Sequence, residues 1–353
     1  MEKIITFPQE ATPEWLTEIL HTKGHLPTGN VISVKQGYRM FGGSTIIPLD
    51  LEYSPGATAT APCRVLLKLP AQRGEKTGDK EVEFYTRIAP LMDQSPGIRC
   101  YHAATSEEGL AFTILMEDLS ESHESHIPSF VPPTEERGRM IVDVLARFHA
   151  FWWDHPKLGN EVGEQPTEAG LARWQEEHRG WTAEFFDEMG DRLSARERKI
   201  VAGAREAILP RMYARYFARK HLTLIHSDPH AGNFLYPRDP AKDTLRIIDW
   251  KSWHINLGVD DMAHMMGLFW FPTHRARWQE SYLRQYHETL RAHGVEGYSW
   301  EMCWADYRLA VALYVLYPIW QWSREMPDLI WWHNFQRVLI TFDELNCAEF
   351  LET

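Results

Sequence analysis

The stretch from residue 221 to residue 249 constrains this chain more than any other. Apolar residues at helical spacing dominate the chain for some distance on either side. Here, though, two short apolar runs (residues 222–225 and 245–248) flank the loop His226-Ser227-Asp228-Pro229-His230-Ala231-Gly232-Asn233 and the run Phe234-Leu235-Tyr236. Runs this short, bounded by Asp, Pro, Gly and Asn, read as strands around turns. Such strands bring Asp228, Asn233 and Asp249 to adjoining strand ends. That set suits phosphoryl transfer: one carboxylate orients or deprotonates an attacking hydroxyl, while an amide oxygen and a second carboxylate hold magnesium on phosphates. Magnesium prefers oxygen ligands and is usually held by only one or two carboxylates.

The chain has room for two lobes, since 353 residues divide into about two domains at ~150 residues each. Hydrophobic residues at 44% and charged residues at 24% are ordinary for a globular protein and exclude wholesale disorder. A net charge of −12, from 37 Lys and Arg against 49 Asp and Glu, argues against a general nucleic-acid surface. The longest apolar run, residues 309–320, contains Pro318. It is shorter than the ~20 residues of a membrane span, so a buried helix and no membrane partner are expected. The first residues lack a basic segment, an apolar core and a small-residue cleavage site, so no secretory signal is expected. Cys63, Cys100, Cys303 and Cys347 form no C-x-x-C pair and read as reduced, buried thiols. The expectation is a soluble cytoplasmic enzyme.

The first third reads as strands. Ile47, Leu49, Leu51 and Tyr53 alternate with other residues, and residues 63–69 form a second run beyond a loop at Ser54-Pro55-Gly56, which predicts an antiparallel pair. Lys68 lies inside that second run, where an ammonium is costly unless paired. Polar residues 73–80 lead into a helix expected to end near Pro90. On it, Glu81, Phe84, Tyr85 and Ile88 share one face, so Glu81 borders the stripe turned toward the sheet and Glu83 points away. Glu81 is therefore the expected partner of Lys68. Residues 111–116 form another strand, and residues 118–133, rich in Ser, Glu, His and Pro, have little to bury. The lobes are accordingly drawn as 1–117 and 118–353. Thr134 reads as an N-cap ahead of a helix with Ile141, Val144, Leu145, Phe148 and Trp152 on one face.

The spacing His226-x-Asp228-x-x-x-x-Asn233, followed by an apolar strand ending in Asp249, resembles the catalytic and metal loops of the kinase fold. Ser227 stands where protein kinases carry Arg, and Ile248-Asp249-Trp250-Lys251 lacks the Gly that follows their Asp-Phe. In these details the chain resembles the aminoglycoside phosphotransferases and their choline-kinase-like relatives. The resemblance runs in order over residues 35–265. Gly37 and Phe41-Gly42-Gly43-Ser44-Thr45 stand where a phosphate-covering loop belongs. Lys68, the segment Glu81-Val82-Glu83-Phe84-Tyr85, a hinge at Ile114-Leu115-Met116-Glu117-Asp118-Leu119 and the helix segment Leu145-Ala146-Arg147-Phe148-His149-Ala150 follow. It implies an α+β, protein-kinase-like bilobal fold. The N-terminal antiparallel-sheet lobe (1–117) would bind nucleotide, and the larger, mainly helical lobe (118–353) would carry catalysis and acceptor binding. ATP or GTP would lie between them with Mg²⁺. The implied reaction moves the γ-phosphoryl group to a hydroxyl of an aminoglycoside-, choline- or sugar-like molecule. Asp228 is the implied catalytic residue, and Asn233 and Asp249 the metal ligands. Gly42, Gly43, Ser44, Lys68, Glu81, Met116, Glu117 and Leu119 are the implied nucleotide contacts, and Asp261 the brace of the catalytic loop.

Plainer readings stand beside these. Asp228 and Asn233 are turn formers in their own right, and Asp260 and Asp261 can serve as helix N-caps. Lys68 can be an edge-strand charge that discourages aggregation. His226, Asp228 and His230 have a spacing compatible with a metal-dependent hydrolase, although that reading leaves Lys68, Asn233 and Asp249 unexplained; His226 reads better as a support of the loop. A kinase fold that binds nucleotide without transfer is the other alternative. His149 and the tryptophans Trp270, Trp320, Trp322, Trp331 and Trp332 read as core.

Overall fold

A strand alternating apolar and polar residues must bury one face, and the N-terminal sheet does so under a helix. The computed structural model describes residues 4–38, 40–41, 44–71, 78–125 and 131–352. Strands β1 (Val31–Gln36), β2 (Met40–Phe41), β3 (Ser44–Tyr53), β4 (Arg64–Pro70), β5 (Cys100–Thr105) and β6 (Phe112–Glu117) form one antiparallel sheet. Its order is β1-β3-β4-β6-β5, with β2 against β3. Ile47, Leu49, Val65, Leu67 and Leu69 bury one face against helix α1 (Pro13–Thr22), which contributes Trp15, Leu16, Ile19 and Leu20. Thr12 caps α1 by accepting a hydrogen bond from Trp15 N, and Pro13 starts its first turn. Residues 13–22, in the third of the chain expected to be strands, are thus helical. Their apolar residues cover the sheet instead of extending it.

Lys68 sits on β4 between Ile46 and Ile114 of its two neighbouring strands. Being central, it cannot be the edge-strand charge of the plainer reading. Helix α2 (Asp79–Glu83) carries Glu81 and continues through a wider turn at Phe84–Ile88 and a tight one at Ala89–Leu91, close to the expected end at Pro90.

The chain divides into two compact units, Met1–Glu124 with Leu235–Ser252, and Ser125–Phe234 with Trp253–Thr353. Residues 235–252 return to the first unit late in the sequence. There Arg246–Ile247 pairs with Phe234–Pro237, which pairs with His123–Ser125, and Ile247 N donates to the Pro96 carbonyl. The second unit is mainly helical. Helix α3 (Glu135–Trp152) is capped by Thr134 and buries Ile141, Leu145, Phe148 and Trp152, while Val144 is only half-buried and Val142 takes its place in the core. A short antiparallel pair, Thr223–Ile225 with His254–Asn256, interrupts the helices. Residues 309–320 are buried in large part but do not make one helix. Helix Trp300–Leu313 ends in a tight turn at Tyr314–Leu316 before Tyr317–Ser323 resumes, with Pro318 in its first turn. Trp270 and Trp331 are core residues, whereas Trp320, Trp322 and Trp332 are half-buried. All four cysteines are free thiols, but Cys63 is exposed and Cys100 partly so, contrary to the expectation that all are buried. Among the described residues no helix is long and apolar enough to cross a membrane.

Gly138 marks the close approach of α3 to helix Pro272–Ala292. A Cβ there would stand 2.4 Å from Tyr282 Oη, whose hydroxyl donates to the Glu135 carbonyl at 3.1 Å. Gly→Ala in an open helix adds about 1 kcal/mol of stability. At this position the overpacked tyrosine should reverse the sign, and Gly138→Ala should cost about 1–3 kcal/mol in urea unfolding.

Candidate functional site

An ammonium in the middle of a sheet needs carboxylates, and Lys68 has two. Its Nζ lies 2.6 Å from Glu81 Oε2 and 3.0 Å from Asp249 Oδ1, and its side chain is only 7% exposed. Glu83, the other acidic residue of that helix, pairs outward with Arg87. Burial works against the charge on Lys68, but the two carboxylates outweigh it and raise its pKa. Burial likewise favours the neutral form of Asp249. Lys68 on one oxygen and Lys251 on the other (Nζ to Oδ2, 2.8 Å) overcome this and hold the carboxyl far below its ordinary range. Asp249 therefore stays ionised, the form a metal requires. Its φ of 65° is uncommon for a residue with a side chain. The next residue anchors it: Trp250 stacks on Phe84 with ring centroids 3.8 Å apart and planes 5° from parallel, and its Nε1 donates to the Ile247 carbonyl. One helix thus supplies both the carboxylate on Lys68 and the ring under Trp250. All these groups belong to the first unit.

The other candidates of the first unit fall as follows. Ser44 opens β3 opposite Pro70, and Gly42 and Gly43 lie outside the described residues. Met116 sits within the ladder between Leu66 and Cys100. Glu117 ends β6, with its backbone N–H given to the Arg99 carbonyl. Leu119 is buried, and its carbonyl accepts from Ser122 N and His123 N.

In the second unit the loop after Thr223–Ile225 hangs on Asp261. This fully buried carboxylate accepts from His226 N at 2.8 Å, Ser227 N at 2.7 Å and His149 Nε2 at 3.2 Å. Burial opposes its charge, but these donors prevail and lower its pKa. His149 Nδ1 in turn meets Tyr286 Oη at 2.9 Å. Gly258 permits that contact, since a Cβ there would lie 2.1 Å from Tyr286 Oη. So braced, the loop holds Ser227 at φ 69°, a conformation that costs energy without such support. Asn233 Nδ2 donates to the Asp228 carbonyl at 2.8 Å, which leaves its Oδ1 as the end able to face a cation. The Asp228 side chain is 21% exposed, with Oδ2 3.9 Å from His230 Nε2.

The histidines serve the loop. His226 Nδ1 accepts from Asp228 N, and His230 Nδ1 accepts from Gly232 N. Among the described residues no three His, Cys, Asp or Glu side chains are placed to hold a metal. The hydrolase reading of His226, Asp228 and His230 therefore finds no support in the geometry. Asp249 in the first unit and Asn233 in the second each offer an oxygen, carboxylate and amide, of the hard kind that magnesium takes. Lys251 on Asp249 is not among the contacts expected from the sequence. A cation two residues after a candidate metal ligand was the available signal.

The model of one family, described as the phosphotransferase enzyme family, matches residues 56–297. Among solved structures, the microcompartment-associated aminopropanol kinase is similar at TM-score 0.55 and 11% identity, over 91% of this chain and 94% of its own. Amicoumacin kinase hAmiN, solved with AMP-PNP, Ca²⁺ and Ami, is similar at TM-score 0.52 and 9% identity, over 97% and 96%. A choline/ethanolamine kinase family protein from Mesorhizobium loti is similar at TM-score 0.50 and 11% identity, over 90% and 88%. These likenesses show a kinase-like, bilobal α+β fold. No curated protein matches the sequence.

Two predictions follow from the charges. Lys68→Met should cost about 3–5 kcal/mol by leaving buried Glu81 without a partner, whereas the pair Lys68→Met with Glu81→Leu should recover most of that loss in denaturant unfolding. Asp260, buried and accepting the Tyr314 hydroxyl at 2.7 Å, has its pKa raised by burial, and by the charge of Asp261, to about 7 from an ordinary 3.8. The fold thus favours its protonated form. That contribution is fully present below pH 3.8 and is lost as pH rises toward 7, at roughly 1.4 kcal/mol per unit at most. Asp260→Asn should flatten this part of the stability–pH curve relative to the parent.

Proposed function

This chain belongs to the phosphotransferase enzyme family, and from that premise we propose that it transfers the γ-phosphoryl group of ATP or GTP to a hydroxyl of a small molecule. The carrying observation is Lys68 held between Glu81 and Asp249. A lysine paired with a helix carboxylate is how kinase-fold enzymes position nucleotide phosphates. In this reading Lys68 steadies the phosphates, and Asn233 and Asp249 hold Mg²⁺. The ion, when bound, neutralises charge on the β- and γ-phosphate oxygens. Asp228 orients the acceptor hydroxyl and takes its proton as the new O–P bond forms. The bond from the γ-phosphorus to the β-bridging oxygen breaks, and the nucleoside diphosphate leaves. The main-chain segment around Met116, Glu117 and Leu119 receives the base, and Ser44 at the start of β3 covers the phosphates. We assign the acceptor to aminoglycoside-, choline- or sugar-like alcohols. Free thiols at all four cysteines suit a reducing cytoplasm.

The test is nucleoside-diphosphate release from ATP and from GTP, with Mg²⁺, across aminoglycosides, choline-like amines and sugars. An acceptor-dependent rate should appear and fall by about 10²–10⁴-fold in Asp228→Asn. An undiminished rate in that variant removes Asp228 from the mechanism, and no acceptor-dependent release with any of these alcohols contradicts the reading.

A further inference from the structure

Asp249 presents two oxygens, and both carry an ammonium. Lys68 on Oδ1 is buried, central in the sheet and tied to Glu81. Lys251 on Oδ2 differs in each respect: its side chain is 49% exposed, and it follows Asp249 by two residues on the same turn of chain. An ion pair this exposed is worth little, and a lysine stem can turn about its four carbons. Oδ2, which carries the exposed ammonium, is therefore the Asp249 oxygen more open to a competing cation than Oδ1.

We propose that Lys251 occupies the metal-binding oxygen of Asp249 before the nucleotide arrives, and so sets how much divalent cation the site needs. This rests on the reading of Asp249 as a metal ligand. The ammonium lies 2.8 Å from Oδ2 and competes with the ion for that oxygen. Once displaced, it remains a positive charge beside the triphosphate. Its removal should therefore make the cation bind more readily, even as it takes a positive charge away from the phosphates.

The experiment is calorimetric titration of the full chain with ADP over a series of Mg²⁺ concentrations, giving the Mg²⁺ concentration at which the tightening of ADP binding is half complete. Lys251→Met should lower that midpoint about two- to fivefold, the scale set by an ion pair of this exposure. Lys251→Arg, which keeps the charge, should stay near the parent. Lys242→Met, which removes an exposed cation paired with Asp239, should also leave it unchanged and so controls for net charge. An unchanged or raised midpoint in Lys251→Met overturns the inference, as does an equal shift in Lys242→Met. Mg²⁺-independent ADP binding in the parent itself would overturn the metal reading on which the inference rests.

Discussion

The ammonium of Lys68, taken out of water at the centre of a sheet, is the constraint on which much of the first unit depends. Desolvating such a group costs several kcal/mol unless carboxylates meet it in good geometry. Here they come from residues 13 and 181 positions away. One partner requires a helix docked on the sheet face opposite α1. The other requires a strand that leaves the unit's sequence and returns late to pair with Phe234–Pro237. The Phe84–Trp250 stack joins these two suppliers, so that the helix and the Asp249 turn are held together by ring packing as well as by charge. Such an arrangement is weak evidence for stability, since an apolar replacement of the pair would fold as well. In the proposed reading it is a preorganised charge set for a polyanionic ligand.

The second unit applies the same logic with an anion at the hub. Asp261 is fully buried yet ionised, because two backbone N–H groups and an imidazole donate to it. Its bonds fix the loop that bears Asp228 and Asn233. In both units an uncommon positive φ falls on the candidate segment, at Ser227 and at Asp249. Buried hydrogen bonds or packed rings hold it there, as expected where side chains must be aimed and not merely accommodated.

Much of this was legible in the sequence. The alternation from Ile47 to Tyr53 and the run from residue 63 to 69 give the sheet pair, and the i, i+3, i+4, i+7 stripe is enough to choose Glu81 over Glu83. The loop spacing from His226 to Asn233 and the strand run ahead of Asp249 carry the family resemblance, which the family model bears out. Helix α1 was not legible as such, because its pattern is short and its cap and proline resemble loop punctuation. Nor was the return of residues 235–252 to the first unit, since a boundary drawn from composition is a single cut and packing over such separations leaves no local signal. The break at Tyr314–Leu316 hides inside an unbroken apolar run. In the sequence Lys251 shows only as a departure from the protein-kinase pattern, because an ion pair that wraps around its own backbone turn depends on the φ of Asp249.

The central claim is that the charges around Lys68 exist to hold nucleotide phosphates. The most direct measurement is calorimetric binding of AMP-PNP with Mg²⁺ to the parent and to the Lys68→Met, Glu81→Leu double variant, which removes the pair without leaving a lone buried charge. The account predicts a folded double variant whose affinity is weaker by at least about tenfold, the loss of one charge-assisted contact of roughly 1.5–3 kcal/mol. A folded double variant that binds as tightly as the parent would contradict it.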